Sequence, residues 1–231
     1  MYKPLLKKFF LSTAALFFAM LVLPQQAQAQ EPVNYELKLA GMRVSSLNCD
    51  DLSSIDGVSG TAKFDPESKT LTLDNATIST SVIKFPGLEN SIKGLTIRLI
   101  GDNTITSENY WGLFNNTERS ITFTGSGKLT VNGSTTAPQT GYRRAIFNWG
   151  TIVVDGCTLE ANGGVYGIGS GFWKFVNCNV RTKGGGGSQS DEYAGSLTWM
   201  WDKEPEFVGC KITSPAGVSW KKFQNNGYDN Y

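Results

Sequence analysis

The chain has 231 residues, with 21 Lys+Arg, 20 Asp+Glu and no histidine. Without histidine it lacks the commonest general base and the commonest metal ligand, and no Ser-His-Asp or Cys-His arrangement is possible. The near-balanced charge lacks the basic excess that an electrostatic nucleic-acid binder needs.

Residues 1–29 read as an export signal. Lys3, Lys7 and Lys8 give a positive start, Phe9 to Leu23 an apolar stretch, and Ala27-Gln28-Ala29 a small-x-small cleavage site ahead of Gln30. The apolar stretch is too short for a comfortable span, and no later one approaches about 20 apolar residues. No cysteine follows it directly, so a lipid anchor is not indicated. Removing the signal takes away three lysines and no acid. That leaves 202 residues with 18 Lys+Arg against 20 Asp+Glu, a net charge of −2 and enough length for one domain with a full core. The expectation is an exported protein, periplasmic, cell-surface or extracellular, with no nucleic-acid partner and no membrane span in the mature chain.

Residues 30–64 read as a β-rich N-terminal cap. Tyr35 to Leu39 alternates as a strand, as does Met42-Arg43-Val44, and Asn48 to Leu52 suits the start of a short helix. Phe64 to Thr70 reads as a turn into the first coil.

From residue 65 to 220 a three-part motif recurs at roughly 25 residues, the signature of stacked coils. One part is an apolar pair at i and i+2: Leu71/Leu73, Ile97/Leu99, Ile121/Phe123, Ile152/Val154, Trp173/Phe175 and Pro205/Phe207. Both members of a pair leave one face of a strand. A turn follows, then a small or thin residue (Ala76, Asn103, Gly127, Cys157, Cys178, Cys210), and two residues later an apolar one (Ile78, Ile105, Leu129, Leu159, Val180, Ile212). The third part is a Gly/Ala-apolar-x-polar step: Gly87 to Asn90, Gly112 to Asn115, Ala145 to Asn148 and Gly167 to Ser170. Weaker copies start at Gly195 and Gly217.

Each coil thus has three short strands, and like strands of successive coils stack in parallel. One coil alone cannot offset the entropy of ordering it, so the stack is cooperative. The expected fold is all-β: a single-stranded right-handed parallel β-helix of about six coils with an N-terminal β-rich cap. The alternative is an antiparallel sandwich. Trp220 and Phe223 are placed to cover the last coil, and the tail, 221–231, is expected to fray from Asn225.

Ala40 to Val44, Cys49, Asp51-Leu52, Gly57 to Gly60, Phe64-Asp65-Pro66, Lys69 to Ile78 and Gly94 to Ile105 resemble a group of secreted Bacteroidetes proteins. That group is similar to right-handed β-helix proteins of the pectate-lyase-like superfamily. The resemblance covers residues 35–130, with the rest as degenerate repeats. It implies the fold, an envelope location and, in some relatives, carbohydrate binding. It brings no catalytic motif. Lyases of this fold would imply a high-pKa base and a carboxylate cluster holding Ca²⁺. The corner acids Asp74, Asp102 and Asp155 form no unbroken ladder, because Ser126 interrupts them.

The corner before the Gly/Ala step is long in two coils, at 132–143 and 183–193. Insertions in repeat folds gather on one face, often the binding face. Two such lips would frame a groove near Tyr142, Arg143, Arg144, Tyr166, Asp191, Glu192 and Tyr193, with Trp149, Trp199 and Trp201 on the next corner. Aromatic rings suit sugar faces, but they equally suit stapling the loops to the coils. Cys157, Cys178 and Cys210 share one column and are expected to be buried, unreactive thiols; Cys49 has no evident partner. No cofactor is implied, although Asp191/Glu192 and Asp202/Glu204/Glu206 suit weak Ca²⁺ binding. The reading is a non-catalytic polysaccharide-binding protein. The alternatives are a polysaccharide lyase or glycoside hydrolase, and a structural or adhesive surface protein.

Overall fold

The computed structural model describes residues 31–185, 195–202, 204–213, 217, 220, 222–225 and 228–230. The expected signal segment, Tyr193, and most of the second long corner lie outside them. From Val33 onward the chain forms one compact unit. Among the described residues no helix is long and apolar enough to cross a membrane.

The cap is antiparallel. β1 (Asn34–Leu39) and β2 (Met42–Ser45) form a hairpin through Ala40 and Gly41, both with positive φ. The anticipated short helix is one 3-10 turn at Leu52–Ser54, N-capped by Asp51, whose carboxylate accepts from the Ser53 N–H at 3.0 Å. β3 (Val58–Asp65) then pairs antiparallel with β4 (Thr70–Thr80) from Thr70 to Ile78.

β4 is long because it serves two ladders, bending at Asn75 (φ 49°). Its first half pairs with one strand of the next coil and its second half with another. After β5 (Leu88–Asn90), each coil repeats the path in three pieces. The second coil is β6 (Leu95–Ile100), β7 (Asp102–Ser107) and β8 (Leu113–Asn115). The third is β9 (Ser120–Gly125), β10 (Lys128–Asn132) and β11 (Arg144–Asn148); the fourth is β12 (Thr151–Asp155), β13 (Thr158–Asn162) and β14 (Tyr166–Gly169). The fifth is β15 (Phe172–Val176), β16 (Asn179–Lys183) and β17 (Gly195–Thr198), and β18 (Glu206–Val208) opens a sixth.

Three parallel ladders result: β4-β6-β9-β12-β15-β18, β4-β7-β10-β13-β16 and β5-β8-β11-β14-β17. β1 closes the N-terminal end of the third ladder by pairing antiparallel with β5. The protein is therefore all-β, with its parallel strands in strongly curled sheets. The core is the inward apolar columns; Leu71, Ile97, Phe123, Val154 and Phe175 are each at most 3% exposed.

One correction concerns register. Ile121/Phe123 does not stack on Ile97/Leu99. Phe123 pairs with Ile97, Ile121 with Leu95, and Gly125 takes the place below Leu99. The second ladder slips likewise, with Val131 rather than Leu129 opposite Ile105. A slip of two keeps the same face inward. Glycine is required at 125: φ is 105°, and a Cβ would lie 2.3 Å from the Leu99 carbonyl oxygen. A second correction concerns the tail. β19 (Phe223–Asn225) and β20 (Tyr228–Asn230) form an antiparallel hairpin, anchored by the Lys222–Asp229 ion pair at 2.6 Å. Trp220 packs against the core as expected.

Candidate functional site

The third ladder carries the Gly/Ala-apolar-x-polar step, and each position has its own physical reason. The small residue is required by the neighbouring coil. A Cβ on Gly87 would lie 2.7 Å from Ile105 Cγ2, and one on Gly112 2.7 Å from Val131 Cγ1. Ile105, Val131, Ala161 and Thr182 form one register column. The coil whose glycine is replaced by Ala145 is thus the one that faces Ala161, so the size gained at one position is removed at the other. The apolar residues Leu88, Leu113, Ile146 and Ile168 are wholly buried.

The polar residue also points inward. Asn90, Asn115 and Asn148 are fully buried and joined amide to amide. Asn90 Nδ2 donates to Asn115 Oδ1 at 2.8 Å, and Asn115 Nδ2 to Asn148 Oδ1 at 2.7 Å. Each also serves its own corner: Ile92 N–H donates to Asn90 Oδ1, Asn115 donates to the Arg119 carbonyl, and Gly150 N–H donates to Asn148 Oδ1. Buried backbone groups at a turn need such partners.

The x position faces outward, and its register column is Lys38, Glu89, Phe114, Phe147 and Gly169. Lys38 and Glu89 form an ion pair at 3.1 Å. Phe114 and Phe147 stack with centroids 5.7 Å apart. Trp111 lies 4.9 Å from Phe114 and 4.5 Å from Phe147; Tyr110 lies 4.2 Å from Trp111 and 4.6 Å from Tyr142. Trp149 stands 5.3 Å from Phe147 and is 40% exposed. The result is an aromatic cluster across neighbouring coils, with Phe147, 3% exposed, as its buried centre and Trp149 as its most exposed ring. Burial, with Tyr142 close by, holds the Tyr110 phenol above its ordinary range.

The absence of a side chain at Gly169 makes room for Tyr166. A Cβ there would lie 2.6 Å from the Tyr166 ring. Tyr166 is fully buried, its hydroxyl lies 3.4 Å from Ser170 Oγ, and burial pushes its phenol up to about 12. The Arg144 guanidinium sits 4.2 Å from the Phe147 ring centre, 5.0 Å from Tyr166 and 5.8 Å from Trp199. Its Nε is buried with no hydrogen-bond partner among the described residues.

The structure brings Arg144, Trp149 and Tyr166 to Phe147, sets Tyr142 against Tyr110 and Trp111 and Trp199 near Arg144, but it changes what Tyr166 offers. A phenol closed to solvent has no ring face to present to a ligand, so Tyr166 supports Arg144 instead. Arg143 is committed to its own loop, Nε donating to the Ala137 carbonyl at 2.7 Å. Trp201 packs edge-on to Phe172, centroids 6.3 Å apart. The 132–143 corner lies against the coils: Trp111 Nε1 donates to the Gly141 carbonyl at 2.7 Å, Ser134 N–H to the Tyr110 carbonyl, and Val165 N–H to the Arg143 carbonyl. Tyr193, Asp191 and Glu192 lie outside the described residues.

Tyr110, Trp111, Phe114 and Phe147 were not anticipated as site residues. The signal for Phe114 and Phe147 was present in Gly-Leu-Phe-Asn and Ala-Ile-Phe-Asn, where phenylalanine occupies the one outward position of the step in adjacent coils. Among the described residues no group of three or more Cys, Asp or Glu side chains is placed to hold a metal ion. Comparison with family models, curated proteins and solved structures finds no match to this chain.

Proposed function

We propose that this chain is an exported right-handed parallel β-helix of about six coils that binds a polysaccharide without converting it. The observation that carries the reading is the run of part-exposed rings, Tyr142, Tyr110, Trp111, Phe114 and Trp149, packed around a buried Phe147. Flat rings flanked by hydrogen-bonding groups match sugar rings, which are apolar on their faces and hydroxylated at their edges. Trp149 gives the most exposed ring of this surface and Tyr142 its other end; Arg144 supplies charge beside Phe147. The resemblance to secreted β-helix proteins points the same way. The net charge of −2 after signal removal weighs against a nucleic acid as the polymer.

The test is a glycan array, followed by titration of tryptophan fluorescence with any polymer retained. Trp149→Ala and Tyr142→Ala should each weaken binding about tenfold, a loss on the scale of one aromatic contact, while Tyr166→Phe should leave it within about twofold. Full binding by the Trp149→Ala/Tyr142→Ala double variant overturns the assignment. The second reading, a structural or adhesive surface protein, is favoured by the Trp111–Gly141 bond, which uses an indole to hold down a loop. An array with no retained glycan supports it.

A further inference from the structure

The last two coils meet at a pair of thiols. Cys178 follows the Asn177 turn (φ 43°) between β15 and β16, and Cys210 follows the equivalent turn after β18 at Gly209 (φ 64°). The pairing of Val176 with Val208 brings the two cysteines level. Their sulfurs are 3.7 Å apart, and the Cys178 N–H donates to Cys210 Sγ at 3.3 Å. Both cysteines are half-buried, whereas Cys157, one coil before them in the column, is buried. The column is therefore not uniformly sealed, as the sequence suggested, but opens at its C-terminal end.

That end is the weakly held part of the stack. All three residues of β18 are exposed, with Phe207 at 36% and Val208 at 47%. The Lys174–Glu206 ion pair, at 3.7 Å, joins half-exposed side chains, and such pairs stabilise little. A covalent tie between the Cys178 and Cys210 corners would hold the sixth coil where packing does so poorly.

We propose that Cys178 and Cys210 form a reversible disulfide that fastens the last coil to the stack. The oxidant is a disulfide compound, either a small one such as oxidised glutathione or an exchange protein. Burial and the neighbouring thiol hold the Cys178 thiol above its ordinary range. The Cys210 thiolate attacks one oxidant sulfur, breaks its S–S bond, forms a mixed disulfide and releases one thiol. Cys178 then loses its proton to solvent, attacks Cys210 Sγ and expels the second thiol. The protein dithiol is oxidised by two electrons and the oxidant reduced to two thiols. The sulfurs need to approach by only about 1.7 Å to reach bonding distance.

The experiment incubates the purified chain with oxidised glutathione, blocks free thiols in denaturant, and maps tryptic peptides by mass spectrometry. The expected product is a peptide pair joined through Cys178 and Cys210, with Cys49 and Cys157 blocked. Native trypsin cleavage of the C-terminal segment should slow several-fold on oxidation, in wild type and Cys157→Ser but not in Cys210→Ser. Blocked thiols at both 178 and 210, a Cys157–Cys178 bond, or equal cleavage of oxidised and reduced chains overturns the proposal. None of these outcomes depends on glycan binding.

Discussion

Replacing Asn115 with alanine removes three hydrogen bonds: the amide accepted from Asn90, the one donated to Asn148 and the one donated to the Arg119 carbonyl. Each partner keeps another bond. Asn90 still donates to the Ile92 carbonyl, Asn148 Oδ1 still accepts from Gly150, and the Arg119 carbonyl still accepts from Thr151. Only the second Asn90 Nδ2 hydrogen is left unpaired, so the cost is at least the net scale of about 1 kcal/mol per bond, or about 3 kcal/mol. Lost packing at a fully buried site adds about 1 kcal/mol. A chain of this size loses about 2–4 °C of Tm per kcal/mol, so the midpoint should fall by about 8–16 °C. Circular dichroism melts of wild type, Asn90→Ala, Asn115→Ala and the double variant provide the assay. The Asn90–Asn115 bond disappears in either single variant, so the double should fall short of additivity by about 0.5–1.5 kcal/mol. A single variant within about 0.5 kcal/mol of wild type, or a strictly additive pair, refutes the amide column as a stabilising device.

Ala161→Val should destabilise by about 1–3 kcal/mol through overpacking against Ala145, and Ala145→Gly in the same chain should recover part of that loss; thermal melts of the four-member cycle check it. Acid should weaken the cap. The Ser53 hydroxyl and N–H hold the Asp51 carboxyl below its usual range, and the Ser68 hydroxyl and Glu67 N–H do the same for Asp65. A depressed folded pKa gives stability that is present above about pH 4 and lost as pH falls through the folded value. Urea midpoints measured downward from pH 7 should therefore drop in that acid window, and Asp65→Asn should flatten the slope there while leaving the neutral region level.

Much of the fold was legible because buried columns impose one residue type at one spacing. Leu71 and Leu73 leave the same face of β4, and Ile97 and Leu99 lie on them in register. The slip at Phe123 was not legible, since moving a strand by two residues leaves the inward set inward. The asparagines were legible as a polar position but not as an interior column, because an amide is stable in the core only where the fold brings hydrogen-bond partners to it. Of the site, the sequence put Tyr142 and Arg144 at the end of the 132–143 corner and Trp149 on the next, and the structure brings Arg144 and Trp149 to Phe147. Tyr166 was misjudged because its burial depends on a missing side chain three residues later, at Gly169. The central rings are hard to single out because phenylalanine in a β-rich repeat looks like core, which Phe147, 3% exposed, also is.

The slip at Gly125 divides the column into two phases, and this sets where its length can change. A coil copied from the N-terminal phase brings a leucine at the Leu73/Leu99 level and fits only beneath another such coil. A copy of the β12–β14 coil, grafted beside its parent, meets matching neighbours on both sides. Lengthening this protein by duplication is therefore easiest in its C-terminal half, where an added β12–β14 turn brings Gly169 at the outward position and so extends the scaffold while leaving the Phe114/Phe147 rings as they are.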